Sequence, residues 1–437
     1  MPTLAWLLTA AALAGDLTIP YERYELDNGL DVILAPDHST PIVHTNIWYH
    51  VGSKDETKGL TGFAHLFEHL MFQGSPNNPG EYFTPLQEVG AKINGTTSFD
   101  RTNYFETVPA QHLPLALFLE SDRMGWLLEV LDETMLKNQQ EVVRNERRQR
   151  YENPPYGEAR KTYYQALWPE GHPYQHLTIG SHEDLDNAKL DDVKAFFRKW
   201  YVPNNAVLVV AGDFDEATAK NLIEAQFGGI PRGEDPARVE VPDPGPLAEN
   251  IELREYDDVP HQKVWMAWRA PAFYKPGDAE LDLLSSVLTD GKDSRLQKVL
   301  VQEKQIAQDV SAWQASAYHG STYVISATAA KGHTTDELVT AIDEILGGVW
   351  ETAPPTEEEL QGARSNYEKM FYGSIKTISG KANLLNSYTF YMNEPDSLQT
   401  DLDRYLKATS ADVTTVGKQT LSQPRVVLHI WPEGDKP

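Results

Sequence analysis

The amino-acid sequence predicts an α+β protein built from two homologous, sandwich-like α/β domains. Three observations carry that prediction. The chain has 437 residues, more than a single hydrophobic core ordinarily serves. A Pro-, Gly- and acid-rich stretch from Ile230 to Pro246 interrupts the periodic segments near the middle, as a linker does. On either side of it, strand and helix signals follow in the same order, so the second half repeats the first in architecture though not in residue identity. The resulting boundaries are a leader at 1–14, an N-terminal domain at 15–229, a linker at 230–249 and a C-terminal domain at 250–437.

In the first half, Tyr21 to Leu34 holds β-rich runs broken at Asn28-Gly29, a hairpin turn signal. Thr45 to Val51 predicts a third strand. From Gly62 the apolar residues Phe63, Leu66, Phe67, Leu70 and Met71 recur at helical steps until Gly74-Ser75-Pro76. Ala91 to Pro109 is rich in Thr, Phe and Tyr and predicts extended chain. Helices are predicted over Leu113 to Leu131 and Glu133 to Tyr151, the latter stopped by Asn153-Pro154-Pro155. A helix over Asp191 to Tyr201 and a buried strand over Ala206 to Gly212 close the half.

The second half begins with strands near Asn250 to Tyr256 and Lys263 to Arg269. Helices near Asp278 to Leu288 and Ser294 to Gln302 follow, then strands through Ala312 to Ala327. Helices over Thr335 to Trp350 and Thr356 to Tyr372 precede a closing strand, Arg425 to Trp431.

Composition narrows the function. With 64 acidic against 38 basic residues, the net charge of −26 disfavours nucleic acid and anionic membranes. The absence of cysteine removes disulfides, thiolate nucleophiles and Cys-ligated metals, so any metal must sit on His, Asp or Glu. Leu4 to Ala14 is an apolar run ending in an Ala-x-Ala step, without a basic residue before it. It reads as a signal peptide and predicts an exported, periplasmic protein. No later stretch is apolar for long enough to span a bilayer.

The chemistry concentrates in His65-Leu66-Phe67-Glu68-His69. Residues four apart lie one above the other on a helix, so both imidazoles reach one ion, with Glu68 on nearly the same face. Imidazole suits zinc, and a catalytic zinc site needs three protein ligands and an open position. Glu68 is then the general base acting on water. The third ligand must come from elsewhere, and the Glu133 to Tyr151 helix offers Glu141 and Glu146. Two solvated helix histidines are the bland alternative.

These residues bring the chain to a family resemblance. It resembles the pitrilysin and insulinase family of inverted zinc metallopeptidases, the inverzincins, and its half-size members of the processing-peptidase type. In that family the H-x-x-E-H helix is followed by a Glu ligand on a second helix, and Glu146, 77 residues after His69 within Glu141-Val142-Val143-Arg144-Asn145-Glu146, falls at the family's spacing. The likeness extends to Gly62 through Phe72, Asn94-Gly95-Thr96-Thr97, Asn153-Pro154-Pro155-Tyr156-Gly157 and His172-Pro173-Tyr174.

It implies one zinc on His65, His69 and Glu146, Glu68 as catalytic base, and a zinc endopeptidase acting on unfolded or short peptides. The substrate would lie as a strand along Asn94, Gly95 and Thr96. The fold implied is half of a clamshell. Two departures stand out: Gln139 occupies the position of a Glu that hydrogen-bonds a zinc histidine, and Val301 and Gln308 stand where an Arg and a Tyr polarise the substrate carbonyl. The second departure predicts a heterodimer with a related chain that lacks the zinc motif but carries the Arg/Tyr pair. The alternative is a non-catalytic scaffold subunit of the same fold.

Three other features carry less. His172, His176 and His182 cluster in sequence but read as loop packing. His38, His44 and His50 lie on strands and a turn, where solvated or structural histidines predominate. Arg144, Arg147, Arg148 and Arg150 read as a solvated or carboxylate-paired helix surface.

Overall fold

The computed structural model describes residues 17–436 except Val239; the leader predicted at 1–14 lies outside the described residues. The first half supplies a six-stranded sheet from β1 (Glu22–Glu25), β2 (Asp31–Pro36), β3 (Ile42–Tyr49), β4 (Lys92–Thr97), β5 (Thr102–Pro109) and β6 (Ala206–Gly212). Their spatial order is β1-β2-β6-β3-β5-β4. The second half supplies β7 (Ile251–Asp257), β8 (Lys263–Ala270), β9 (Ala307–Ala315), β10 (Ser321–Ala329) and β11 (Val426–Pro432), in the order β7-β11-β8-β10-β9.

Strands β2 to β6 of the first sheet match the five strands of the second in order, and β1 is an additional strand at the first sheet's edge. β6 inserts parallel to β2 and antiparallel to β3, as β11 inserts parallel to β7 and antiparallel to β8. In the first half the last strand to emerge, β6, thus lies between β2 and β3, and in the second half the last strand, β11, lies between β7 and β8. The repeat predicted from the order of signals is present as topology.

Eight helices of the first half are α1 (Phe63–Leu70), α2 (Phe83–Glu88), α3 (Leu113–Val130), α4 (Glu133–Arg147), α5 (Ala159–Leu167), α6 (His182–Asn187), α7 (Leu190–Trp200) and α8 (Glu216–Phe227). The second half adds α9 (Asp278–Thr289), α10 (Thr335–Glu351), α11 (Glu357–Ile375), α12 (Ile378–Met392), α13 (Leu398–Leu406) and α14 (Ser410–Leu421). Among the described residues no helix is long and apolar enough to cross a membrane.

The helix predicted over Glu133 to Tyr151 is α-helical only to Arg147 and widens into a π turn over Arg148–Glu152. The helix predicted near Ser294 is likewise a π turn, Gln297–Glu303. The strands predicted through Ala312 to Ala327 are β9 and β10, paired antiparallel, with β9 starting earlier, at Ala307.

Each sheet comes from one half, yet a helix of the other half covers one of its faces. α12 packs on β6 and β3, while α5 packs on β11 and β8. Ile33, Ala35, Val207 and Val209 share a core with Ile378, Ala382, Leu385 and Tyr388. This exchange explains why β6 reads Ala-Val-Leu-Val-Val-Ala-Gly with every residue buried: a strand covered on both faces has no polar side. Asn386 reaches through the contact to donate to the Asn46 carbonyl at 2.9 Å.

Candidate metal centre

α1 presents two faces. Phe63, Leu66, Phe67 and Leu70 are buried, Phe67 lying 4.4 Å centroid to centroid from Tyr201. His65, Glu68 and His69 are left on the other face, towards a cavity of about 780 Å³. The helix lacks a side-chain cap at Gly62. Instead the buried Glu56 carboxyl accepts from the Gly62 and Ala64 backbone N–H groups at 2.9 and 2.8 Å. Gly62 itself has φ +92, and a Cβ there would meet the Ile179 carbonyl oxygen at 2.7 Å, so the sharp entry into α1 requires glycine.

Glu146 arrives from the last turn of α4, which packs against α1. Its Oε2 lies 3.1 Å from His69 Nε2 and 3.6 Å from His65 Nε2. One donor atom from each of the three residues falls within 4.8 Å of the others, the one His/Cys/Asp/Glu group among the described residues so placed. The other carboxylate oxygen pairs with Arg150 at 3.0 Å.

Two imidazoles and a carboxylate are a zinc-compatible donor set. Burial pushes the His65 imidazole down to about 4, with His69 adding to the effect, and so holds it in the neutral form that ligation needs. Burial opposes ionisation of Glu146, but the His69 hydrogen bond and the neighbouring positive groups outweigh it and leave its carboxyl below the usual range.

Glu68 is held by the Thr97 hydroxyl, which donates to its Oε2 at 2.6 Å. Burial raises its pKa, against the Thr97 bond. Thr97 ends β4, one of the two edge strands of the first sheet. Asn94, Gly95 and Thr96, predicted to hold substrate, line the same cavity. A Cβ at Gly95 would meet the Phe72 ring at 3.0 Å, so glycine lets that ring close under the strand. Phe72 stacks on Phe83 at 4.6 Å, forming an apolar wall. Gln139 is buried beside the cavity, but no hydrogen bond joins it to either imidazole, and His65 Nδ1 has no partner among the described residues.

Glu141 lies away from the cluster, paired with Arg144. His172 stacks on Trp168, while His182 bonds Glu152 at 2.6 Å, so these histidines face separate partners. The arginines of α4 and its π turn are paired or hydrogen-bonded within the chain. Val301 packs on the second core, and Gln308 donates to the Ala329 carbonyl. A larger cavity of about 1060 Å³ is lined by none of His65, His69 and Glu146. The sequence places Thr97 in a family motif but carries no signal that its hydroxyl meets Glu68. Nor does it mark Glu56, because a cap six residues upstream of its helix has no local signature.

The sequence model of the insulinase family, peptidase family M16, matches residues 31–168, and that of the peptidase M16 inactive domain matches residues 187–367. A zinc protease of Helicobacter pylori, PqqE, is 28% identical over 404 residues, covering 91% of this chain and 90% of its own. The crystal structure of a protease from Helicobacter pylori superposes with a TM-score of 0.86 at 26% identity, over 95% of this chain and all of that one. The periplasmic protease PqqL of Escherichia coli shares the fold, with a TM-score of 0.77 at 17% identity, over 95% of this chain but only 48% of that one. Two matched regions in tandem, one holding every member of the His-Glu cluster and the other none, make this chain a half-size member of the M16, or insulinase, peptidase family.

Proposed function

We propose that this chain is the zinc-bearing subunit of a metalloendopeptidase that hydrolyses unfolded or short peptides. The observation that carries the reading is the convergence of His65, His69 and Glu146 donor atoms within 4.8 Å beside a Glu68 carboxylate held by Thr97. One zinc ion would sit on those three side chains. Bound there, zinc would polarise the scissile carbonyl and make water more acidic.

The chain's own residues supply the rest. Glu68 accepts the proton of the attacking water as its oxygen bonds the carbonyl carbon. It returns that proton to the amide nitrogen as the C–N bond breaks. Burial favours a carboxyl able to hold the proton between the two events. Among the described residues β4 pairs only with β5, so its free edge, Asn94 to Thr97, offers backbone groups to an extended peptide.

The chain would act with a related subunit. It has no Arg or Tyr at 301 and 308, and losing one oxyanion donor costs about 10² to 10³ in rate. The match to half of a longer protease supports a second half of like fold. Export to the periplasm is supported by the apolar leader and by the description of that relative as periplasmic. The inactive-domain match favours a second reading, a non-catalytic scaffold, but its span, 187–367, excludes the ligand cluster.

Metal analysis and peptide cleavage by the purified chain, alone and mixed with a partner carrying the Arg/Tyr pair, test the proposal. One zinc per chain is expected, lost in His69→Ala and Glu146→Gln, with cleavage rising on mixing. Unchanged zinc in those variants would remove the ligand assignment. Full activity from the isolated chain, indifferent to the partner, would remove the heterodimer.

A further inference from the structure

We infer that Asp100 is a positioning residue through which the C-terminal half sets the geometry of the Glu68 carboxylate; the inference rests on the peptidase reading above. Asp100 sits in the turn between β4 and β5, where Ser98 N–H donates to the Arg101 carbonyl at 2.9 Å. An aspartate in an exposed turn ordinarily bonds its own backbone. Asp100 is 2% exposed, and its carboxylate is used entirely on remote groups. Oδ1 accepts from the Tyr174 hydroxyl at 2.6 Å, while Oδ2 accepts from the Tyr318 backbone N–H at 2.9 Å and the Tyr391 hydroxyl at 3.4 Å.

Two of those donors belong to the second half: Tyr318 lies in the turn joining β9 to β10, and Tyr391 lies on α12. Tyr174 in turn accepts from the His319 N–H at 3.0 Å. Lys54 adds a bond to the Asp100 carbonyl at 3.0 Å.

From this anchor the path to the base is short. Arg101, stacked over Trp48 at 4.9 Å, donates to the Thr96 carbonyl and to Asn103 Oδ1, both at 2.9 Å. That fixes the strand end whose next residue, Thr97, grips Glu68. A half that lacks the metal motif therefore holds the hairpin that aims the general base. A general base contributes about 10² to 10⁴-fold only while its geometry is held.

The test is Asp100→Asn in the full chain, read by hydrogen exchange over residues 92–105, zinc content, and kcat and KM on an unstructured peptide. Expected are exchange in the β4–β5 hairpin faster by about 10-fold or more, unchanged zinc, and kcat lower by about 10-fold with KM within about two-fold. Tyr174→Phe, which removes one donor and keeps the carboxylate, should fall between wild type and Asp100→Asn. If Asp100→Asn does not fold, Tyr174→Phe and Tyr391→Phe carry the same readouts. Hairpin exchange equal to wild type overturns the inference, as does a loosened hairpin with unchanged kcat in a chain whose wild type cleaves the peptide. A wild type that cleaves nothing, alone or with a partner, refutes the peptidase reading instead, and the exchange comparison still decides whether Asp100 couples the halves.

Discussion

At the scale of single residues, the proposed function assigns binding and chemistry to different side chains. His65, His69 and Glu146 bring their donor atoms within 4.8 Å of one another, whereas the Glu68 carboxylate is turned to Thr97. Glu68→Gln should therefore retain zinc and lose about 10² to 10⁴-fold in turnover, checked by metal analysis beside a single-turnover assay. Retained turnover would take Glu68 out of the mechanism. Glu56 makes a different prediction. Among the described residues its carboxyl alone caps the α1 backbone at Gly62 and Ala64, and removing it orphans two buried N–H groups. Glu56→Ala should cost about 1–3 kcal/mol in denaturant unfolding and weaken zinc binding, because the helix start that aims His65 would fray. Unaltered zinc affinity would show that α1 is held by its apolar face alone.

At the scale of elements, β3 carries a buried group whose ionisation opposes the fold. His44 is 2% exposed, its Nδ1 bonded to the Thr107 hydroxyl at 2.9 Å, and burial lowers its pKa to about 4. The unfolded chain takes up that proton near pH 6.5 and the folded chain only near 4, so between these values the unfolded state binds more protons. Stability must then fall as pH drops through that window, by up to about 1.4 kcal/mol per pH unit from this group, and its penalty stays constant below pH 4. His44→Gln should flatten the slope of unfolding free energy between pH 6.5 and 4 relative to wild type; an identical slope would refute the assignment. Glu359, whose pair with Arg295 and cap on α11 lower its carboxyl to about 2, acts in a lower window. Its contribution is complete above pH 4.5 and is lost as pH falls towards 2.

At the scale of the whole molecule, the exchange of α5 and α12 makes the two halves one folding unit. A fragment ending at residue 229 would contain the whole first sheet but not the α12 residues that cover Ile33, Val207 and Val209. We expect that fragment to aggregate or to lack fixed tertiary packing, as read by near-UV dichroism, and the full chain to unfold in one transition. A soluble, cooperatively folded fragment would contradict this.

The same contrast divides what was legible from what was not. Local signals are carried by residues that face one environment: the two-faced α1, the doubly buried β6 and the Asn28-Gly29 turn could each be read alone, as could the His65–Glu68–His69 spacing, because a helix repeats by itself. α12 could not. Its buried positions include Asn386, Ser387 and Thr389 beside Leu385 and Tyr388, since it is packed between a sheet of the other half and its own neighbours, and no amphipathic stripe survives. The Glu56 cap and the Asp100 anchor were likewise decided only in three dimensions. The anchor joins groups 291 residues apart, Asp100 and Tyr391, and the cap comes from a side chain six residues outside the helix it serves. Sequence by itself determined which side chains could do metal chemistry and which faces would be buried. The tertiary structure decided which of them meet, because that depends on how two sheets and their exchanged helices pack together.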